Sequence, residues 1–242
     1  MMNGVLDNPM NILITGASRG IGAAAYELLK SRGHNVVGHS SRGGVELVAG
    51  DLMDPAAPRA VWDEALSRLD GRIEVLINNA GIFEGVAEDA PDDEWHAAWA
   101  RTMQVNLQSA ADFSRLALNH FRKRGEGGRI VNLSSRAAYR GDSPQHWHYA
   151  ASKAGMAAMT KTMARAYAEE AIYCYAVCPG FTVTGMAEEY MASRGPGGFA
   201  DIPLGRPASV EEVAETIRWL ATEAPPSASG ALIDVNGASY VR

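Results

Sequence analysis

Hydrophobic residues along this chain come in short runs separated by stretches of helical spacing, and the alternation predicts an open sheet crossed by helices. Asn11 to Thr15 is a short apolar strand that runs directly into the segment GASRGIG. Beyond it Ile21, Ala24, Ala25, Leu28 and Leu29 share one helical face, and Gly33 supplies a left-handed stop. Asn35 to Gly38, Val45 to Ala49 and Ile73 to Ile77 are the next apolar runs, the last ending in Asn78, Asn79, Ala80 and Gly81. The second and third runs lie too close together for a full crossover helix, so that connection is expected to be a loop. One long helix is predicted from Asp92 through Trp95, Trp99, Met103, Leu107, Ala110 and Ala111 to about Arg124, where Arg122, Lys123 and Arg124 suit a helix C-terminus. Arg129 to Leu133 is a strand ending in Ser134 and Ser135; residues 149 to 170 form an alanine-rich helix; Ile172 to Val177 is a strand ending at Pro179 and Gly180. An irregular segment, roughly Gly185 to Pro203, precedes a capping box of Ser209 and Glu212 that opens a helix carrying Val210, Val213, Ile217 and Leu220, and Leu232 to Val235 closes the sheet. Seven near-continuous apolar strands with interleaved helices make an α/β protein with a doubly wound, mainly parallel sheet, read as a single domain over residues 1–242.

Composition narrows the function. The 242 residues are 47% hydrophobic and 21% charged, with a net charge of −6 and no run of about 18 apolar residues. An acidic chain without Lys/Arg blocks argues against a nucleic-acid or anionic-membrane surface. The segment MMNGVLDNP lacks the charged and apolar regions of a signal peptide, which makes a cytoplasmic location the expectation. Cys174 and Cys178 lie at even spacing along a buried strand and read as small core residues. His146 and His148 flank Trp147 with no carboxylate or thiol to complete a metal set, so they read as pocket wall and packing, and no metal is expected; His34, His39, His96 and His120 read as solvated.

Sheets of this kind bind ligands beyond the carboxyl ends of their strands. Gly16, Gly20 and Gly22 follow the first strand and open the first helix, where backbone N–H groups and the helix dipole favour a pyrophosphate; the intervening Ser18, Arg19 and Ile21 belong to the same turn. The chain has no Asp or Glu between Asn35 and Val45, where a carboxylate would accept from the ribose hydroxyls of NAD. It has Ser40, Ser41 and Arg42 there, and Arg19 in the glycine turn, a set that suits a 2′-phosphate and predicts NADP(H) over NAD(H). Tyr149 and Lys153, four residues apart, share one helical face, and an ammonium one turn from a phenol favours the phenolate.

With these residues in view the chain resembles the short-chain dehydrogenase/reductase family. The resemblance rests on Thr15-Gly16-x-x-x-Gly20-Ile21-Gly22, Asp51-Leu52, Asn78-Asn79-Ala80-Gly81, Asn106 in VNL, Ser135 in VNLSS, Tyr149-x-x-x-Lys153, Pro179-Gly180 with Thr184, and the tail segment PLGRPASVEEVAETIRWLA, and it covers nearly the whole chain. It implies a Rossmann-type fold, a nicotinamide cofactor, and hydride exchange with an alcohol or carbonyl. By resemblance Tyr149 exchanges a proton with the substrate oxygen, Lys153 holds the nicotinamide ribose and lowers the Tyr149 pKa, Ser135 hydrogen-bonds the substrate oxygen, and Asn106 holds a water that joins Lys153 to solvent. The resemblance selects Ser135 over Ser134, because the second serine of this motif usually faces the substrate and, with successive strand residues pointing opposite ways, only one can. Asp51 and Leu52 look like adenine contacts, and Asn79, Ala80 and Gly81 like a cofactor-facing strand end. Pro179, Gly180, Thr182 and Thr184 would meet the carboxamide and phosphates. The family usually forms homotetramers, and Met156, Ala157, Met159 and Met163 are compatible with such pairing or with facing the sheet.

The departures are the short second-to-third connection, Tyr175 where the family usually has a small polar residue, and a terminal VNGA in place of the more usual VDGG. Substrate selection is expected from a lid at about residues 185–203 together with Phe83, Ala137, Tyr139, His146 and Trp147. The reading is an NADPH-dependent reductase of a small-molecule carbonyl compound, possible in either direction. The competing reading is a non-catalytic NADP(H)-binding sensor or interaction protein on the same fold, which has no need of the Tyr, Lys, Ser and Asn set.

Overall fold

A computed structural model describes residues 9–182 and 199–242. Seven strands form one all-parallel sheet: β1 Asn11–Ile14, β2 Asn35–Ser40, β3 Leu47–Ala49, β4 Val75–Asn78, β5 Gly128–Leu133, β6 Ile172–Pro179 and β7 Leu232–Val235, in the order β3-β2-β1-β4-β5-β6-β7. The order reverses between β1 and β4, which opens a crevice at their carboxyl ends. Strand alternation feeds two cores. Ile12, Ile14, Val75, Ile77 and Val131 face α1 (Gly20–Ser31) and α7 (Val210–Thr222), while Leu13, Leu76 and Ile130 face α2 (Ala57–Arg68), α4 (Ser109–Arg124) and α6 (Trp147–Tyr167); the short α5 (Ala137–Arg140) follows β5. This is the doubly wound arrangement of a Rossmann-type fold.

Several boundaries differ from the sequence reading. Helix α2 was not predicted; of its five buried residues, Ala57, Pro58, Val61, Trp62 and Ala65, only two are large and apolar, and a proline lies in its first turn, so its apolar period is faint. The strand expected from Val45 begins at Leu47, and Val45 is fully exposed. As expected, β2 and β3 are joined by a loop without a helix. The single helix expected over residues 92–124 is three pieces: α3 Asp92–Met103, a π-helical stretch Gln104–Gln108, and α4, which ends on Gly125 in the left-handed region. Met156, Ala157 and Met163 are buried within the chain. His34 and His39 are not solvated: both are buried, His34 accepting from the Met10 amide. Among the described residues no helix is long and apolar enough to cross a membrane. The expected lid lies outside the described residues, except for its last part from Phe199 onward.

The unusual residues at the carboxyl end of the chain have local explanations. Tyr175 is fully buried, and its hydroxyl donates to Pro225 O at 3.4 Å. The capping box is formed as predicted: Ser209 Oγ accepts from the Glu212 amide and the Glu212 carboxylate accepts from the Ser209 amide. Ala238, in the VNGA segment, sits at φ 63°, where a Cβ costs roughly 1–2 kcal/mol and glycine costs nothing. Replacing Ala238 by glycine relieves that strain against a loss of about 0.4–1 kcal/mol from the freer unfolded chain. The expected net effect is a gain of about 0.5–1 kcal/mol, read as a rise in Tm of roughly 1–4 °C in a thermal melt.

Candidate active site

The crevice at the β1–β4 reversal is lined by the glycine turn. Gly16 takes φ 69° and Gly20 φ 58°, conformations that favour glycine. Gly22 is required by contact: a Cβ there would lie 2.1 Å from Gly16 O and 2.3 Å from Asn79 Nδ2. Helix α1 has no side-chain cap and no acidic residue in its first turn, and its first amide known to be paired is that of Ala23, which donates to Arg19 O. Uncapped amides at a helix N-terminus suit a pyrophosphate. Arg19, Ser41 and Arg42 are exposed at the carboxyl side of the sheet, and among the described residues neither guanidinium has an ion-pair partner. The donor set therefore fits a phosphorylated dinucleotide. Asp51 is exposed and accepts from the Met53 amide, whereas the Leu52 side chain is buried in the core.

Asn79 is turned toward the chain itself. Its Nδ2 donates to Thr15 O at 2.9 Å and Gly16 O at 3.0 Å, while Thr15 Oγ1 accepts from the Asn79 and Ala80 amides, both at 3.0 Å. Next along the chain, Gly81 leaves room where a Cβ would sit 3.3 Å from Asn106 Oδ1 and 3.5 Å from Lys153 Nζ. Asn106, within the π stretch, accepts from the Ile82 amide at 2.8 Å and donates to Ile82 O at 3.0 Å and Ser152 Oγ at 3.3 Å. These bonds make it a clamp between the β4 exit and α6, a positioning role that the resemblance did not supply. Beneath, Asn78 Nδ2 donates to Asn132 Oδ1 and Asn132 Nδ2 to Thr160 Oγ1, each at 2.8 Å, tying β4 and β5 to α6. The sequence signal for this network is an asparagine at or near the end of each of two strands, after the apolar runs Val75–Ile77 and Ile130–Val131.

At the β5 exit the two serines diverge. Ser134 Oγ donates to Lys153 O at 2.8 Å and so holds α6, whereas the Ser135 hydroxyl acts on the Tyr149 phenol. Burial pushes the Tyr149 phenol up to about 12, with the Ser135 hydroxyl acting in the opposite direction and the Asp142 charge adding to the rise. Lys153 Nζ donates to Leu133 O at 2.7 Å and lies 5.8 Å from the Tyr149 ring centroid. Burial dominates both groups, pushing the lysine down to about 8 as it pushes the phenol up.

Aromatic side chains border the phenol. Phe83 meets Tyr149 edge-on at 4.8 Å and stacks on His146 at 3.9 Å, and His146 is oriented by Ser143 through a 2.6 Å contact at Nδ1. Trp147 packs edge-on against Trp95, and His148 is fully buried against Trp99. Tyr139 lies at the other end of the β5 exit, beside Tyr240 and Arg242 of the carboxyl-terminal segment. Thr182 Oγ1 donates to Gly180 O at 3.3 Å, and the Gly180 amide donates to Val235 O. Pro179 ends β6, and Thr184 lies outside the described residues. Among the described residues no three His, Cys, Asp or Glu side chains gather where a metal ion could be held.

Residues 10–195 match the short chain dehydrogenase family. The chain is 37% identical to the cis-4-hydroxycyclohexanecarboxylate dehydrogenase of Sinomonas cyclohexanicum, over 93% of this chain and 94% of that one. It is 31% identical to the 3-oxoacyl-(acyl-carrier-protein) reductase FabG of Escherichia coli K12, over 95% and 96%. Its fold is similar to a crystal structure with bound NADP from Agrobacterium tumefaciens, provisionally assigned as a 2-deoxy-D-gluconate 3-dehydrogenase, with a TM-score of 0.87 and 26% identity across the full length of both chains.

The buried ammonium makes stability depend on pH in a defined direction. The folded pKa of Lys153, about 8, lies below its ordinary value of 10.5, so between those pH values the unfolded chain binds more protons and stability rises with pH. The penalty is fully present below pH 8. Lys153→Met is expected to raise stability at pH 7 by about 1–3 kcal/mol. Urea denaturation at pH 7.5 and 9.5 should show the gap between wild type and variant narrowing with pH; a gap independent of pH would contradict it.

Proposed function

Because the chain belongs to the short-chain dehydrogenases, enzymes that exchange hydride between a nicotinamide cofactor and a CH–OH or C=O carbon, we propose that it is an NADPH-dependent reductase of a ketone to a secondary alcohol. The observation that carries the proposal is the pairing of the Ser135 hydroxyl with the Tyr149 phenol at the β5 exit, one helical turn from Lys153. Bound NADPH would supply the hydride. The glycine-turn amides would hold its pyrophosphate, Arg19 and Arg42 its 2′-phosphate, and Lys153 its ribose.

As hydride reaches a carbonyl carbon, negative charge grows on the oxygen. Two O–H groups aimed at that oxygen stabilise the charge, and Tyr149 gives up its proton to it. A phenol held near 12 stays protonated at neutral pH, which suits reduction; running the reaction as an alcohol oxidation asks for the phenolate, and the Lys153 charge is what would favour it. Asn106 acts by holding the β4 exit on α6. The Phe83–His146 wall presents an apolar face beside the phenol, which suits substrates whose carbonyl is flanked by carbon rather than charge. The substrates named for two relatives, a hydroxycyclohexanecarboxylate and a 3-oxoacyl thioester, both have the reacting carbon within a carbon skeleton. We place this chain's substrate among β-ketoacyl thioesters, keto acids and cyclic ketones.

Loss of NADPH absorbance with a panel of such ketones tests the reading; cofactor binding with no turnover on any would move the chain to the sensor class. Tyr149→Phe is expected to lower kcat by roughly 10²–10⁴-fold while leaving NADPH affinity within a few-fold. Arg42→Ala is expected to weaken NADPH by about 10–100-fold, the effect of one charge-assisted contact, and to leave NADH unchanged. Equal losses for the two cofactors would exclude the 2′-phosphate role.

A further inference from the structure

The end of β2 carries a histidine that none of this chemistry uses. His39 is 2% exposed, with Nε2 2.8 Å from Gly50 O and Nδ1 accepting from the Gly16 amide at 3.4 Å. A carbonyl only accepts, so Nε2 bears the proton and Nδ1 is left as the acceptor that the Gly16 N–H requires. The two bonds together select one neutral tautomer. The His39 carbonyl also accepts from the Ala17 amide at 2.8 Å. Gly16 is therefore held on both sides, its N–H by His39 and its C=O by Asn79. On the far side of the ring, Gly50 directly precedes Asp51 and Leu52. A single side chain thus spans the glycine turn and the segment expected on the adenine side.

The surroundings of the ring are apolar or main-chain. The turn offers the Gly16 amide, the β3 end the Gly50 carbonyl and α4 the Phe113 ring at 6.4 Å between centroids; α2 brings Val61 against Gly50. Among the described residues no charged side chain acts on the imidazole, and burial holds its pKa below the ordinary histidine value.

We propose that His39 is a positioning residue of the dinucleotide site: the neutral ring fixes the glycine turn relative to Gly50–Leu52, and a proton at Nδ1 weakens cofactor binding by turning an acceptor into a donor that faces the Gly16 N–H. This rests on the dinucleotide reading above and is independent of the substrate and of turnover.

The test is a fluorescence titration of NADPH on the full chain, with thermal melts recorded in parallel. At pH 7.5 His39→Leu is expected to lose at least tenfold in affinity. His39→Asn, whose amide oxygen can take the place of Nδ1, and His39→Gln, whose amide nitrogen can reach Gly50 O, each keep one bond and are expected to fall between. From pH 7.5 to 5.0 wild type should lose more affinity than His39→Asn; titration of the NADPH 2′-phosphate is common to both and cancels. A purely structural role would shift Tm and leave the two pH curves parallel. Parallel curves, or a folded leucine variant with wild-type affinity, overturn the role. If the leucine variant does not fold, the asparagine and glutamine variants and the pH comparison decide. Wild type that binds neither NADPH nor NADH overturns the dinucleotide reading, and the role of His39 with it.

Discussion

The grip of Asn79 on the main chain of the glycine turn is the interaction on which the remaining geometry depends. One amide group bonds two successive carbonyls, at Thr15 and Gly16, and it lies with the Gly16 carbonyl so close to α1 that only glycine fits at position 22. Thr15 returns the bond by accepting from the Asn79 and Ala80 amides, so the exits of β1 and β4 are fastened to each other at the reversal of the sheet. From there the fastening continues outward. Ile82 is clamped by Asn106, Asn106 donates to Ser152, and Ser152 Oγ donates to Tyr149 O at 2.7 Å. The turn that would receive a cofactor and the helix that carries the phenol are thus joined through a short series of polar bonds, partly buried except for the buried Asn106–Ser152 bond.

Against this rigid frame, Tyr149 and Lys153 are poorly solvated. Burial resists ionisation of both, raising one and lowering the other. Among the described residues, the Ser135 hydroxyl favours the charged form of the phenol and the Leu133 carbonyl that of the ammonium. A site of this kind gives up stability to hold its proton-carrying groups out of water, the usual exchange at functional positions.

Much of the architecture was legible because parallel strands buried on both faces must be apolar throughout, and Ile12–Ile14, Val75–Ile77 and Ile130–Val131 are. Helix α2 was not legible, since its five buried residues include two alanines and a proline and leave only a faint apolar period to see. Histidine direction was not legible either: His39 and His34 are polar by composition, and only the fold brings a main-chain amide to each. For the candidate site, spacing named Tyr149 and Lys153, and the family pattern named Ser135 and Asn106. What the Asn79 and Asn106 amides bond to is a matter of side-chain direction at strand exits and in an irregular helix, which one-dimensional spacing does not encode.

The π stretch between α3 and α4 makes that irregularity concrete. Five residues in a wider turn take up one more residue than a regular helix allows, shifting the phase of everything before Gln104 relative to everything after Gln108. Trp95 and Trp99 face the start of α6 while Phe113 and Phe121 fill the core under β4, although on an unbroken helix all four would fall within one stripe of about 80°. The arrangement is counted rather than spelled. A helix of this kind absorbs many changes of residue type but few changes of residue number, because losing one position would restore the regular period and rotate the segment bearing Asn106 away from Ile82 by about 100°, the angle of one residue at 3.6 per turn.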